Sequence, residues 1–464
     1  MLTTLSAEEL NTTLGHWASG RGTLVDDLSE ALIELIEAGV LPAGITMPAQ
    51  RALAPAIGVS RGTVMAAYAT LERHGYMLSR RGSGSQIRSK RTSLRTRPQG
   101  RLFSFSAQPG DVIDMSTGAL PASRVAQDVL LRGIQAPLAD YLTTDGYFPA
   151  GLPVLRRAIA SQLTDDGVPT SSDEILVTAG AQQATWLVIR ALVTAGDQVL
   201  VEEPSYRGAL EILREHDARV RGIPLVDGGI SVPMVRAALK AEPRLLYCQT
   251  GIHNPTGTTM HPTARGELAK VINEHGLLTV EDRCWSDLLL SGPPVAKGLA
   301  GLVAPDLLIT IGTFSKLFWG GLRVGWVRSS PKRIEALTEL LKSTQLACSV
   351  PDQLYAARLI GHTAEARAER RDMLVTHVEQ AEAIFEEMVP SWRWGRIDGG
   401  SGLWIDTCED TSALVARAKR VGVKLLAGPS FSTYDGQRTM IRLPVWHEAA
   451  QLRQALALLT QEAL

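Results

Sequence analysis

Thr313-Phe314-Ser315-Lys316-Leu317-Phe318-Trp319-Gly320-Gly321-Leu322-Arg323-Val324-Gly325-Trp326 is the stretch on which the reading of this chain turns. It sets one lysine between two hydroxyl side chains, with a glycine pair and an arginine close behind. A lone lysine is nearly always a solvated surface charge. The neighbours of Lys316 are of another kind. Thr313 and Ser315 can donate to phosphate oxygens, and Arg323 offers them a planar fork of N–H groups. Gly320-Gly321 lets the backbone approach a ligand closely.

An amine that can condense with an aldehyde, placed beside phosphate donors, suggests pyridoxal 5'-phosphate (PLP), with Lys316 as its imine lysine. Such a cofactor also needs a phosphate cradle, a carboxylate at its pyridine nitrogen, a donor to its ring hydroxyl and a flat group over its ring. Each has a candidate here. Thr178-Ala179-Gly180-Ala181-Gln182-Gln183 follows a strand and opens a helix, so the amides of Gly180, Ala181 and Gln182 form an anion site. Asp282 ends the apolar run Leu277–Val280, where ligands gather in α/β folds; an aspartate there can equally cap a helix. His253-Asn254-Pro255-Thr256-Gly257 is a turn that can aim the Asn254 amide inward. Glu203-Pro204-Ser205-Tyr206-Arg207 supplies Tyr206 to stack and Arg207 to meet a carboxylate. Arg442, in Met440-Ile441-Arg442-Leu443-Pro444, is a second carboxylate candidate, and both arginines also read as surface residues.

The same region alternates helical patterns with short apolar runs at residues 174–178, 198–201, 245–248, 277–280 and 307–310. Buried strands separated by helices predict an α/β fold with a large parallel sheet. The domains are read as 1–90, a basic linker at 91–112, a large domain at 113–345 and a smaller C-terminal α+β domain at 346–464.

Upstream, the pattern changes. Leu24, Leu28, Leu32 and Leu35 recur at helical spacing up to Gly39. A short helix is expected from about Pro48 to Ile57, with Pro55 removing an amide donor near its end. Gly58-Val59-Ser60 leads into another helix with Ser60 as its N-cap and Gly75 as its stop. Residues 76–79 and 85–87 then flank Arg80-Arg81-Gly82-Ser83-Gly84 as a hairpin. Three helices and a hairpin make a winged helix-turn-helix, whose second helix enters the major groove of double-stranded DNA. Ser60, Arg61 and Thr63 start that helix. Arg61 can reach guanine bidentately, while Ser60 or Thr63 meets phosphate or a base. Arg80 and Arg81 extend the surface at the wing. A small helical domain that binds protein is the competing reading. The charge pattern favours DNA: from Arg73 to Gly110 there are nine basic residues and no acidic one, although the whole chain carries a net charge of −1.

Four cysteines, Cys248, Cys284, Cys348 and Cys408, lie far apart without a CxxC pair, which predicts reduced thiols and no metal site. No apolar run approaches the roughly 18 residues of a membrane span, and the N-terminus has no signal-peptide pattern. A cytoplasmic protein without membrane contact is expected.

Residues 24–88 resemble the GntR family of bacterial regulators through Gly39–Gly44, Met47–Ala54, Gly58–Val64 and the Gly82–Gly84 wing. The resemblance implies that Arg51, Arg61 and the wing touch DNA. Residues 113–464 resemble fold-type-I aminotransferases. That likeness implies roles for Gly180, Ala181, Gln182 and Arg323 at the phosphate, Asn254 at the ring hydroxyl and Asp282 at the pyridine nitrogen. It likewise implies Lys316 as the imine lysine and Arg442 on an α-carboxylate, with Tyr147 and Gly151 in an early active-site turn. One position departs from that family: Asp282-Arg283-Cys284-Trp285 places Trp285 where a tyrosine usually donates to the ring hydroxyl. The order of the two parts is similar to the MocR group of regulators, and Phe318–Gly321 to its YczR branch. The resemblance implies a homodimer, with each winged helix near the partner's large domain. It implies a PLP-dependent transcriptional regulator whose operator binding responds to an amino-acid-like or amine effector, or to PLP itself. A working aminotransferase with an accessory DNA-binding domain is the alternative, and transamination is not expected as the main function.

Overall fold

Leu28, Leu32 and Leu35 are all buried, as their spacing requires. They lie on the second helix of a small N-terminal unit. The computed structural model describes residues 5–15, 17–18, 23–37, 40–42, 44–73, 76–80, 84–87, 112–292 and 297–461. The unit opens on α1 (Ala7–Leu14), where Ser6 Oγ accepts from Glu9 N and Glu9 Oε2 accepts from Ser6 N. Then follow α2 (Leu24–Glu37), β1 (Thr46–Met47), α3 (Gln50–Ala56) and α4 (Arg61–Arg73). Pro55 sits inside α3 one residue before its end, and Gly58, at φ +71°, turns the chain toward α4. Ser60 Oγ accepts from Thr63 N at 3.0 Å, the cap its sequence position predicted. Tyr68 reaches back from α4 and donates to Pro48 O at 2.9 Å, fixing the angle of the two helices. The wing is β2 (Met77–Arg80) against β3 (Gly84–Ile87), with β1 added to the outer edge of β3. Gly39, Gly75, Arg81, Gly82, Ser83 and linker residues 91–111 lie outside the described residues, as does the side chain of Arg80.

The second part begins at β4 (Ile113–Asp114) and passes through α5 (Arg124–Leu131), α6 (Gln135–Tyr141) and α7 (Pro153–Asp165). Eight strands then make one sheet: β5 (Ile175–Thr178), β6 (Gln198–Glu203), β7 (Arg219–Val226), β8 (Gly229–Ile230), β9 (Leu245–Cys248), β10 (Thr279–Asp282), β11 (Leu308–Thr313) and β12 (Gly325–Arg328). Their order is β5-β12-β11-β10-β9-β6-β7-β8. The helices between them are α8 (Ala181–Leu192), α9 (Arg207–Glu215), α10 (Val232–Ala238) and α11 (Pro262–His275).

Strands β6, β7, β9, β10 and β11 pair in parallel, while β12 runs antiparallel to both β11 and β5 and β8 antiparallel to β7. The sheet is therefore mixed, mostly parallel. Alternating residues feed two cores, one on each face. Ile175, Val177, Leu200 and Leu246 pack in one, and Leu176, Val199, Val201 and Leu245 in the other. Burial on both faces explains the unbroken apolar runs that announced these strands. Strand β10 starts two residues later than its apolar run and takes in Glu281 and Asp282, both buried.

The C-terminal part packs α12 (Pro331–Lys342), α13 (Val350–Ile360) and the 26-residue α14 (Thr363–Met388) beside a small sheet. That sheet is β13 (Arg393–Trp394), β14 (Gly402–Asp406) and β16 (Met440–Pro444), all antiparallel. Helix α15 (Thr411–Arg420) and β15 (Val423–Lys424) intervene, and α16 (Ala449–Gln461) closes the chain described. β15 pairs in parallel with β4, so Ile113, Met115 and Leu120 join the apolar core of this smaller part. Among the described residues, no helix is long and apolar enough to cross a membrane, and no cluster of His, Cys, Asp and Glu could hold a metal ion.

Ser60→Ala removes the capping oxygen of α4 and is expected to destabilise that helix start by about 1 kcal/mol. Faster amide hydrogen exchange in its first turn checks this, with Ser60→Gly showing a smaller change.

Candidate cofactor-binding site

The parallel strands deliver their C-terminal ends to one edge of the sheet, where Glu203, Cys248, Asp282 and Thr313 are final residues. Register brings the phosphate candidates together at that edge. Gly325 of β12 pairs with Thr313 on one side and Thr178 on the other, so the turns after β11 and β5 become neighbours. Gly180 adopts φ +87° before α8, and a Cβ on it would lie 3.1 Å from Arg323 Nη2. Arg323 is itself left-handed at φ +51° and donates to Ala179 O at 2.9 Å. Thr313 Oγ1 donates to Ser315 Oγ at 3.1 Å. Arg323 is exposed and Thr313 and Ser315 half-buried, so this lobe of the site opens to water. Tyr206 is joined to the cradle through its hydroxyl, which donates to Gln182 Oε1 at 2.8 Å. Burial pushes the Tyr206 phenol up to about 12, so it stays protonated and serves as that donor.

Asp282 is buried and caps no helix. Its Oδ2 accepts from Tyr247 Oη at 2.5 Å and Gln249 Nε2 at 3.2 Å, and its Oδ1 from Cys284 N at 2.8 Å. Burial and the nearby Asp282 charge hold the Tyr247 hydroxyl well above its ordinary value, which keeps it a donor. Gln249 has two tasks, because its Oε1 also accepts from Asn254 N at 2.9 Å. One buried side chain thus fixes the pyridine-nitrogen candidate relative to the ring-hydroxyl candidate. Neither Tyr247 nor Gln249 was singled out in the sequence. Tyr247 lies in an apolar strand and Gln249 in an undistinguished loop, so only the fold reveals their task.

Lys316 follows β11, and its Nζ donates to Gly118 O at 3.4 Å. Burial, and then the positive charge of Arg442, pull its amine down to about 8. An amine at that level is partly neutral near neutrality, as attack on an aldehyde requires.

Arg207 and Arg442 are not surface arginines: they are only 2% and 4% exposed. The positive charge of Arg207 bears on both Lys316 and Arg442. Arg442 donates from Nη1 to Asn254 Oδ1 at 3.2 Å and from Nη2 to Ser116 O at 2.9 Å. Its Nε is buried and has no hydrogen-bond partner among the described residues. Burial, with Arg207 adding to it, brings Arg442 down to about 9. The guanidinium carbon lies 5.9 Å from the Trp285 ring centroid and 5.4 Å from that of Phe431. Trp285 is buried between Gly118 and Gly400; a Cβ on Gly118 would lie 3.3 Å from its ring, and one on Gly400 would lie 2.5 Å away. The indole therefore forms one wall of the Arg442 pocket. Tyr147, by contrast, is exposed on the surface.

These residues fit PLP chemically. A glycine that leaves room beside a guanidinium matches its phosphate, a triply anchored carboxylate its pyridine nitrogen, and an unpartnered buried N–H on Arg442 an anionic ligand. On the N-terminal unit, Arg51, Ser60 and Arg61 are exposed and Thr63 half-buried, all on α3 and α4 or at the start of α4.

The family described as aminotransferase class I and II matches residues 110–459, and the bacterial regulatory proteins of the gntR family match residues 24–87. The chain is 27% identical to the uncharacterized HTH-type transcriptional regulator YisV of Bacillus subtilis (strain 168), across 93% of this chain and 94% of YisV. It is 29% identical to the probable rhizopine catabolism regulatory protein MocR of Rhizobium meliloti, across 78% of this chain and 74% of MocR. Among solved structures, it is similar to the kynurenine aminotransferase of Pyrococcus horikoshii in complex with PMP. The TM-score is 0.68 at 26% identity, over 76% of this chain and 91% of that one.

Reaction of PLP with the cofactor-free chain, followed by visible absorbance, is expected to accelerate with pH and reach half its limit near pH 8, not near the 10.5 of an ordinary lysine. The sign follows from the amine, which becomes reactive as it loses its proton. Gln249→Leu removes two buried hydrogen bonds, each worth roughly 1 kcal/mol. Spectral titration is expected to show PLP affinity falling about tenfold or more.

Proposed function

The chain belongs to the aminotransferase class I and II family and carries a gntR-family winged helix ahead of it, the combination found in MocR-type regulators, and from that premise we propose that PLP, or an amino-group effector captured at Lys316, governs its binding to an operator. The observation that carries this reading is the pairing, in one chain, of an exposed recognition-helix start at Ser60 and Arg61 with a set of candidate cofactor donors around Lys316, among which Asn254, Asp282, Arg207 and Arg442 are buried.

In this reading residues 1–90 bind double-stranded DNA, 91–112 connect, and 113–345 with 346–464 bind the cofactor. When bound, PLP supplies an aldehyde that links covalently to amines. The chain's own residues do the rest. Lys316 offers the amine. Gly180, Ala181, Gln182, Thr313 and Arg323 hold the phosphate, Asp282 the pyridine nitrogen and Asn254 the ring hydroxyl, while Tyr206 covers the ring. Arg442 and Arg207 attract a carboxylate into a pocket from which bulk water is excluded, where a guanidinium–carboxylate contact is strong. These two arginines favour an amino acid or a similar amine as effector. Arg51, Ser60, Arg61, Thr63, Arg80 and Arg81 form the DNA face, with Arg61 reading a base. Aminotransferase class I and II domains are typically dimeric, which supports a homodimer. Trp285 favours sensing over turnover: an indole stands where this family usually has a phenol, and it is buried against Arg442. A ligand shifts DNA binding only by its differential affinity for two arrangements of the chain.

Lys316→Ala is expected to abolish the visible imine absorbance that forms with added PLP, and any effect of PLP on DNA binding. An unchanged spectrum sinks the assignment. On an operator selected from random duplexes, Arg61→Ala is expected to cost roughly 1–3 kcal/mol of specific binding. Equal loss on every sequence would demote Arg61 to a phosphate contact. Steady conversion of an amino acid and a 2-oxo acid by the wild-type chain would move the assignment to an enzyme.

A further inference from the structure

Helix α4 buries Val64, Ala67, Tyr68 and Leu71 in the apolar core of the N-terminal unit. Its outer face carries Arg61, Gly62, Met65, Ala69, Glu72 and Arg73, all exposed. Three large apolar side chains are exposed in this unit among the described residues, and Met65, at 54%, is the most exposed of them. A methionine left largely in water, on a helix that already has a buried stripe, adds little to the core. It lies one turn beyond Arg61, at the four-residue spacing that makes two side chains neighbours on one helix face.

The neighbours of Met65 narrow what this face can recognise. Among residues 61–67 only Arg61 and Thr63 have polar side chains. Thr63 Oγ1 and the capping Ser60 Oγ are hydrogen-bonded to each other at 2.9 Å, so both are engaged at the helix start. Hydrogen-bond readout here therefore rests mainly on Arg61. Gly62 is a second sign that another molecule comes close. Glycine weakens a helix, and the fold does not require it at this position: a Cβ on Gly62 would meet Ser60 Oγ at 3.5 Å, an ordinary contact. Gly62, Ala66 and Ala69 keep the surface beside Met65 low, which lets a duplex approach the helix backbone closely while the longer methionine stands above them.

The base edges of the major groove offer one apolar group to such a side chain, the C5-methyl of thymine. We infer that Met65 is a specificity-determining residue that packs on a thymine methyl close to the base read by Arg61. The inference rests on the reading of residues 1–90 as a DNA-binding unit and deepens it by naming a base. The step from Arg61 to Met65 covers about 6 Å of helix, which places the thymine within about three base pairs of the guanine. The two residues read by different physics. Arg61 distinguishes guanine by paired hydrogen bonds, and Met65 distinguishes thymine by a contact that cytosine, without the methyl, does not provide. The unbranched, polarizable side chain of methionine adapts to the position of that methyl.

The test uses the full chain and an operator that it selects from random duplexes. Each thymine of that operator is replaced in turn by deoxyuridine, which removes the methyl and leaves every hydrogen-bonding group in place. On the wild-type chain, one thymine per half-site is expected to lose about fourfold in affinity on replacement, the worth of one buried carbon. Met65→Ala is expected to bind the thymine operator more weakly and to bind the thymine and deoxyuridine duplexes equally. Met65→Leu, which keeps an apolar side chain of similar size, is expected to retain most of the difference. No deoxyuridine effect on the wild-type chain overturns the inference and leaves the DNA-binding reading standing. An effect that survives in Met65→Ala also overturns it, because the methyl then acts through the shape of the duplex. Undiminished affinity of Met65→Ala for the thymine operator overturns it too, and turns this face toward a protein partner. Failure of the selection to yield any preferred duplex overturns both the inference and the reading of Arg61 as a base reader.

Discussion

Three cations, Lys316, Arg207 and Arg442, share one largely enclosed region at the edge of the main sheet, and much of the surrounding structure exists to hold them there. A buried charge is tolerated only when hydrogen bonds replace its water. For Arg442 those come from Asn254 and the Ser116 carbonyl, with the rings of Trp285 and Phe431 flanking the guanidinium. For Lys316 the replacement is the Gly118 carbonyl. Asp282 supplies the opposing charge, itself anchored by Tyr247, Gln249 and the Cys284 amide. The mutual repulsion of the cations, added to burial, depresses the amine of Lys316 and the guanidinium of Arg442 together. The same charge excess that would draw an anion to this region also lowers the lysine amine, after burial.

That constraint also shapes the division of labour between the two parts of the chain. The donors of the cofactor site come from strand ends in a rigid sheet buried on both faces. Arg442 instead lies buried on β16 of the small sheet, and Trp285 packs in the core of that smaller part, where Ile113, Met115 and Val423 also lie. A ligand held by both Lys316 and Arg442 would therefore bridge a rigid frame and a smaller unit.

Much of the site was legible because its parts are contiguous motifs. Lys316 with Arg323, Asn254 before Pro255, and Gly180-Ala181 at a helix start each follow a strand, so their local turn chemistry is written in adjacent residues. The cap at Ser60 was legible for the same reason. Other features were not. Only Leu10 and Leu14 of α1 are buried, too few to give a periodic signal. β10 runs two residues past its apolar run because Glu281 and Asp282 are strand residues whose partners come from elsewhere in the fold. The antiparallel insertion of β12 between β11 and β5 carries no mark in a run of four residues.

Sequence alone determined the two kinds of part in this chain, a DNA-reading unit and an aminotransferase-like unit, together with the residue types at their sites. Helix caps, glycine turns and strand-end motifs are set by neighbours a few positions apart. Tertiary structure decided which distant groups meet. Arg442 finds Ser116 across 326 positions, and Lys316 finds Gly118 across 198. Gln249 ties Asp282 to Asn254. Those meetings follow from sheet register and core packing, in which each contact depends on the placement of whole elements, and no local pattern in the chain encodes them.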